Sequence, residues 1–399
     1  MDPRADPACL LPPVQARERG VLELLEALVN LDSGTWSPAG VNRVADAVQA
    51  RLAAGGWAVE RLPHQPGDGL PRLGDLLVGR RRGALPVAAG GRRLLLMAHM
   101  DTVFDDGCAA ERPFRVADGR AYGPGVADDK AGLACGLAAV EALGDAGFDR
   151  FAELTLVCSP DEEIGSPFSK PVLERLAAEH DVGLGLEAAR SNGALVTARK
   201  GIAAFELDVR GRAAHAGVRP EAGVNAVLEA AHKTVALQAL NRRWPGVTCN
   251  VGVLRGGSRV NVVADRALLQ VELRAATQAG FAAAEAEVAR IVAAPAVPGA
   301  LVAVRPLHRH RPMERTEAVA ALAAAAKAVA AGLGFEVGEA ATGGAGDANT
   351  TAAVGLPTLD GLAPIGGEAH GPAEWLDLAS VVPRTALLAA LLARLGQAT

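Results

Sequence analysis

Aromatic residues make up only 3% of the 399-residue chain, with a single tyrosine, and the formal net charge is −5. Nucleic-acid binding needs stacking faces beside a basic groove, and this chain offers little of either. Its five cysteines (Cys9, Cys108, Cys135, Cys158 and Cys249) are odd in number, scattered, and free of any C-x-x-C spacing. That pattern reads as reduced thiols in a reducing compartment, not as a disulfide framework. The opening stretch "MDPRADPACLLPPVQARERG" has acids and prolines where a signal peptide needs a basic start and an apolar centre. No uninterrupted apolar stretch reaches membrane-spanning length. These absences predict a cytoplasmic protein that engages neither membrane nor nucleic acid.

What remains is ordinary globular material, half apolar and 21% charged. A chain this long exceeds what one hydrophobic core usually serves, so two domains are expected. "VLELLEALVNLDS" and "GVNRVADAVQARLAAGG" have helical apolar spacing, the second closed by glycines. "GDLLVGR", "RRLLLMAHM" and "ELTLVCSPDEE" read as strands, and "DDKAGLACGLAAVEALGDAG" as a helix rich in small residues. The alternation predicts an α/β sheet covered by helices on both faces. From about residue 195 the pattern becomes four strands interleaved with two helices, an α+β unit. After about 306, "EAVAALAAAAKAVAAGLG" and "ASVVPRTALLAALLARL" resume the helices. The expected organisation is a catalytic domain over 1–194 and 306–399, interrupted by an inserted domain over 195–305.

Chemistry concentrates where apolar strands end. In "LLLMAHMDTVF" the alternation of a strand aims His99 and Asp101 the same way. "YGPGVADDKAG" gives Asp128 and Asp129, "DEEIG" gives Asp161, Glu162 and Glu163, "VGLGLEAAR" gives Glu187, and "IGGEAHGP" gives His370. Taken singly, a helix cap explains "DDK" as well as a ligand does. A solvated turn explains "DEE" better, and a surface loop explains His370 better. Open α/β sheets, however, bind ligands beyond the carboxyl ends of their strands. Acids and histidines recurring at those ends are what a metal centre needs. "GPGVAD" lacks the third glycine of a dinucleotide-binding fingerprint.

The stretches "MAHMDTVF", "AYGPGVADDKAG", "DEEIGSP", "RAAHAGVRPEAGVNA", "RVNVVAD" and "TGGAGDANTTAAVGLPTLDGLAPIGGEAHGP", in this order, resemble the M20 co-catalytic dizinc metallopeptidases, in particular their glutamate carboxypeptidase branch. The likeness spans nearly the whole chain. It implies a zinc-peptidase catalytic domain, with a mixed, mostly parallel sheet, and an inserted ferredoxin-like lid and dimerisation domain. It implies that His99 and Glu187 hold one Zn²⁺, Glu163 and His370 the other, and Asp128 both. Co²⁺ or Mn²⁺ suits the same nitrogen and oxygen donors. Three carboxylates beside two neutral imidazoles offset most of the charge of two zinc ions, which suits a partly desolvated cleft.

By the same resemblance Asp101 supports His99, and Glu162 is general base and then general acid, not a ligand. His215 reaches the active site of a partner copy in a homodimer. Arg311 clamps the carboxylate of the leaving amino acid, its planar fork suiting that group. Asn261 contacts substrate from the inserted domain, and Lys200 suits an anionic substrate side chain. Arg274 reads as structural or interfacial, and His308 and His310 as a surface basic patch. The "GGAGD" loop, ending at Asp347, has backbone N–H groups to offer a carboxylate. The implied activity is hydrolysis of a peptide or N-acyl amide that releases a C-terminal amino acid, glutamate first. An N-acyl-amino-acid or acetylornithine-type deacylase is the alternative, and a non-catalytic relative the reading of a different class.

Overall fold

The computed structural model describes residues 3–67, 69 and 71–397, which cluster into two compact units. The first is built from the chain up to Thr197, Arg315–Ala341, and Gly346 onward. Its main sheet runs Ala58–Leu62, Leu76–Arg82, Glu153–Ser159, Arg93–His99, Val182–Gly185 and Thr358–Leu359 in spatial order. The last four strands are parallel and the first two antiparallel.

Arg93–His99 shows why both faces must be covered. Leu94, Leu96 and Ala98 pack into one core with the helices Pro7–Val29, Pro38–Ala54, Lys130–Asp145, Glu317–Gly332 and Val381–Leu395. Leu95 and Met97 point the other way, onto Leu173, Leu176 and Ala177 of the helix Lys170–Glu179. A strand buried on both faces reads as a continuous apolar run, which "LLLMA" is.

The segment Leu378–Leu395 is apolar enough, at a mean hydropathy of 1.6, to pass for a membrane span by length and composition, and 72% of it is buried in the fold. Arg384 interrupts it. That fully buried guanidinium donates to the carbonyls of Ala363, Gly193 and Gly361, where three chain segments meet. The N-terminal helix starts earlier than its periodicity suggested, at Pro7. There Asp6 accepts from the Ala8 N–H at 2.9 Å, a conventional cap. A second, five-stranded sheet of short strands joins Ala188–Ala189 to Ala363–Gly367 and carries the loop that bears His370.

The second unit spans Ala198–Glu314 with Thr342–Ala345. Its four strands lie in the order Thr248–Gly256, Arg266–Ala275, Gly201–Arg210 and Leu301–His310, all antiparallel. Leu207, Val209, Leu269 and Leu273 form its core with Phe281 and Ala230 from the helices Gln278–Ala293 and Ala226–Gln238. Leu301–His310 pairs along the whole length of Gly201–Arg210, so the unit runs past residue 305 and takes in Arg311. The same pairing corrects the surface reading of His310. It is opposite Ile202 and is buried, whereas His308 stays exposed.

Candidate metal centre

Beyond the carboxyl ends of Arg93–His99, Glu153–Ser159 and Val182–Gly185, five separated segments bring acids and histidines together in the first unit. His99 Nε2 lies 2.8 Å from Asp128 Oδ1 and 3.7 Å from Glu187 Oε1. His370 Nε2 lies 3.2 Å from Asp128 Oδ2 and 3.1 Å from Glu163 Oε2. The two oxygens of Asp128 are thus divided between two imidazoles. Two overlapping groups, His99–Asp128–Glu163 and His99–Glu162–Glu187, each keep their donor atoms within 4.8 Å of one another.

His99 Nδ1 is 3.0 Å from the Asp101 carbonyl and 3.4 Å from its carboxylate. A proton on Nδ1 donates to that carbonyl and leaves the Nε2 lone pair facing Asp128. The Asp101 carboxylate meanwhile accepts from the N–H groups of Glu162 at 3.1 Å and Glu163 at 3.2 Å, and from Thr35 Oγ1 at 2.7 Å. Asp101 therefore fixes the turn that carries two of the acids as well as the imidazole.

The electrostatics call for cations. Burial pushes the Glu162 carboxyl well above the ordinary range, and the nearby charges of Glu187 and Glu163 add to that. Burial likewise raises Glu163. Hydrogen bonds to Asp128 and then Glu163 lift His370 to about 10. Burial opposes ionisation of Asp128, but its bonds to His370 and His99 win and hold it well below the usual carboxylate range. A bridging carboxylate between two histidines, each with a further carboxylate beside it, is the oxygen–nitrogen donor set that zinc accepts. The residues present fit a pair of divalent ions.

The isolated readings of these acids fail for stated reasons. Asp129 stands at the N-cap of Lys130–Asp145, but its carboxylate makes no capping bond; it turns inward and accepts from the His99 N–H at 3.3 Å. Asp161 is no solvated turn either, since it is buried and accepts from Phe168 N, Ser169 N and Ser169 Oγ. His370 is 55% exposed, as its glycine-rich loop suggested, yet still meets Asp128 and Glu163. The Asp347 side chain is buried and takes hydrogen bonds from Ser159 and Ser166 at 2.5 Å each.

Sequence reasoning missed Glu374, in "GPAEW". It is buried and accepts from Gly125 N at 3.0 Å, Ala127 N at 2.9 Å and Asp128 N at 3.0 Å, so it clamps the loop that presents Asp128. Its one signal was an acid four places after His370. Glu374→Ala strands those amides. It should weaken metal binding by roughly 10–100-fold, as loss of supporting contacts generally does. Glu374→Gln, which keeps an acceptor, should fall between it and wild type. Chelator competition reads this, and unchanged affinity in the alanine variant removes the role.

The remaining candidates lie in the second unit. His215 is exposed and bridges to Val262, while Ala216 N donates to Asn261 O at 3.0 Å, so His215 and Asn261 share one loop pair. Lys200 is half-buried, its N–H donating to Thr342 O, and Arg311 is exposed. Arg274 pairs with Glu272 at 2.7 Å.

The family model for peptidase family M20/M25/M40 matches residues 95–394. Carboxypeptidase G2 of Pseudomonas sp. (strain RS-16) is 32% identical over 379 residues, covering 94% of this chain and 89% of that protein. Acetylornithine deacetylase of Myxococcus xanthus is 30% identical over 272 residues, covering 63% and 65%. In fold, the chain matches the crystal structure of the aminopeptidase PepT from Bacillus cereus, with a TM-score of 0.78 at 24% identity over 95% of this chain and 99% of that one. With a matched region that holds His99, Asp128, Glu163, Glu187 and His370, this chain belongs to the M20/M25/M40 peptidases, a family of hydrolases.

Proposed function

We propose that the protein is a dizinc amide hydrolase that releases a C-terminal amino acid, glutamate first, from a peptide or N-acyl precursor. The observation that carries this is Asp128, whose two oxygens address His99 and His370 separately. His99, Asp128 and Glu187 would hold one ion, and His370, Asp128 and Glu163 the other. Bound zinc supplies Lewis acidity, lowering the pKa of an attacking water and polarising the scissile carbonyl. Glu162 takes the proton from that water and delivers it to the leaving nitrogen, which requires a group that both accepts and releases. Asp101 keeps Glu162 in place through its backbone N–H.

His215, from a second copy of the chain, donates to the developing oxyanion, making the homodimer the active species. Asn261 and Lys200 contact substrate, and Arg311 grips the free α-carboxylate. The cytoplasm is the proposed location, in keeping with the unpaired cysteines. Arg311→Ala should raise KM about tenfold or more for substrates with a free α-carboxylate, the scale of a lost charge-assisted pair. Carboxyl-blocked analogues should hardly respond, and equal losses on both would remove the role.

The likeness to acetylornithine deacetylase favours a second reading, an N-acyl-amino-acid deacylase on the same centre. A hydrolysis screen of N-acyl-glutamates, dipeptides and N-acetylornithine with added Zn²⁺ separates the two. Turnover of none of them overturns both.

A further inference from the structure

Of the five proposed ligands, His370 is the most exposed, and its backbone stands in the left-handed region at φ +65°. Glu368, two places earlier, is left-handed too, at φ +56°. Side chains other than glycine enter this region at a cost, and such backbone persists where its surroundings fix it. A ligand carried on a strained, half-open loop therefore needs anchors. Within the loop, Gly371 N donates to Glu368 O at 3.0 Å. Gly371 O, the carbonyl of the residue after His370, accepts from two directions. Glu374 N reaches it at 3.4 Å, a long hydrogen bond, and Arg112 Nη1 at 3.3 Å from 259 positions earlier in the chain.

Arg112 has the setting of a strut. It is half-buried and directly follows the short helix Cys108–Glu111. Its guanidinium carbon lies 4.7 Å from the centre of the Phe104 ring, and its Nη2 donates to Cys108 Sγ at 2.7 Å. Asp32 ties down the same segment, accepting from Gly107 N and Ala109 N at 2.8 Å each. These contacts hold the guanidinium from its own side. Among the described residues, Gly371 O is the one acceptor outside that segment to which the side chain donates.

Charge and hydrogen bonding pull in opposite directions here. A guanidinium beside a site for divalent cations repels them, so if its charge ruled, removing it would tighten metal binding. A charged donor on the Gly371 carbonyl acts the other way. It keeps the loop where His370 Nε2 stands 3.2 Å from Asp128 and 3.1 Å from Glu163, and losing it would free the imidazole to drift from both. The sign of the change therefore separates the two effects. His99 sits on a buried strand and has no such dependence, since Asp101 fixes its ring.

Resting on the two-metal reading above, we propose that Arg112 is a positioning residue for His370. By holding Gly371 O it sets the affinity of the ion that His370 would share with Glu163, and leaves the ion at His99 and Glu187 alone. The test is stepwise Zn²⁺ affinity, by chelator competition on the full chain, for wild type, Arg112→Met, Arg112→Lys, His370→Ala and the Arg112→Met/His370→Ala double variant. Arg112→Met keeps an unbranched stem against Phe104 and loses every donor. One ion should then bind about tenfold more weakly, the low end for a lost supporting contact, while the other moves by less than about twofold. Arg112→Lys, which keeps a charged donor, should stay within about threefold of wild type. With His370 already replaced, Arg112→Met should change affinity by no more than about twofold, because the group it positions is gone. An arginine with only a general structural role would weaken both ions alike, or add its full effect in the His370→Ala background. Either result overturns the proposal, and so does metal held as tightly or more tightly in Arg112→Met. A wild type that binds fewer than two ions overturns the two-metal reading, and the role of Arg112 falls with it.

Discussion

Glu162→Gln should keep its metal and lose turnover by about three orders of magnitude or more, since in the proposed mechanism Glu162 acts twice in each cycle. A positioned general acid or base typically contributes 10²–10⁴-fold. Glutamine keeps the shape and one carbonyl oxygen of glutamate, so the Asp101 bonds to the turn, which use backbone N–H groups, survive the exchange. What disappears is the ability to hold a proton. Geometry alone groups Glu162 with His99 and Glu187 as donors able to hold a cation, so metal content has to be read beside rate. Two ions per chain with little turnover is the expected pair of results. Full activity would move the base elsewhere, and loss of one ion would make Glu162 a ligand.

How far such a centre can be read without coordinates depends on which forces place each group. The apolar run "LLLMA" locates His99 at a buried strand end, because a continuous apolar run, the mark of a strand covered on both sheet faces, is a local property of sequence. Asp128, Glu163 and Glu187 follow strands or glycine turns in the same way, and the resemblance to the M20 peptidases supplies their grouping. Glu374 has no such local mark. Its purpose is to accept three N–H groups from a loop about 250 positions away in the chain, and only the tertiary fold creates that demand. Thr35 was invisible for the same reason, since its partner Asp101 lies 66 residues on.

The buried acids that read as caps or turns in isolation show the converse. Asp129 and Asp161 have side chains able to serve local backbone, and such residues usually do. Asp161 does so from a buried position, and Asp129 reaches across to the end of the strand Arg93–His99. His310 was misread because a charged-looking "HRHR" hides the strand pairing with Gly201–Arg210 that buries one histidine and exposes another.

Asp128→Asn carries the second large effect, and it separates a shared centre from two independent sites. If each ion had its own ligand set, a single substitution would weaken one ion and spare the other, as Glu187→Gln or His370→Ala should. Asp128 instead turns Oδ1 to His99 and Oδ2 to His370. An amide can offer only a neutral oxygen to one side and an NH₂ to the other. Zinc per chain should therefore fall from two to one or fewer, and activity by about 10³-fold, the scale reached when catalytic electrostatics are dismantled. Because burial holds Glu162 and Glu163 toward the protonated form in the metal-free chain, zinc uptake should also release protons. Calorimetry in buffers of differing ionisation enthalpy measures that release directly. A wild type that binds one ion, or an Asp128→Asn protein that keeps two, is incompatible with a carboxylate shared between them.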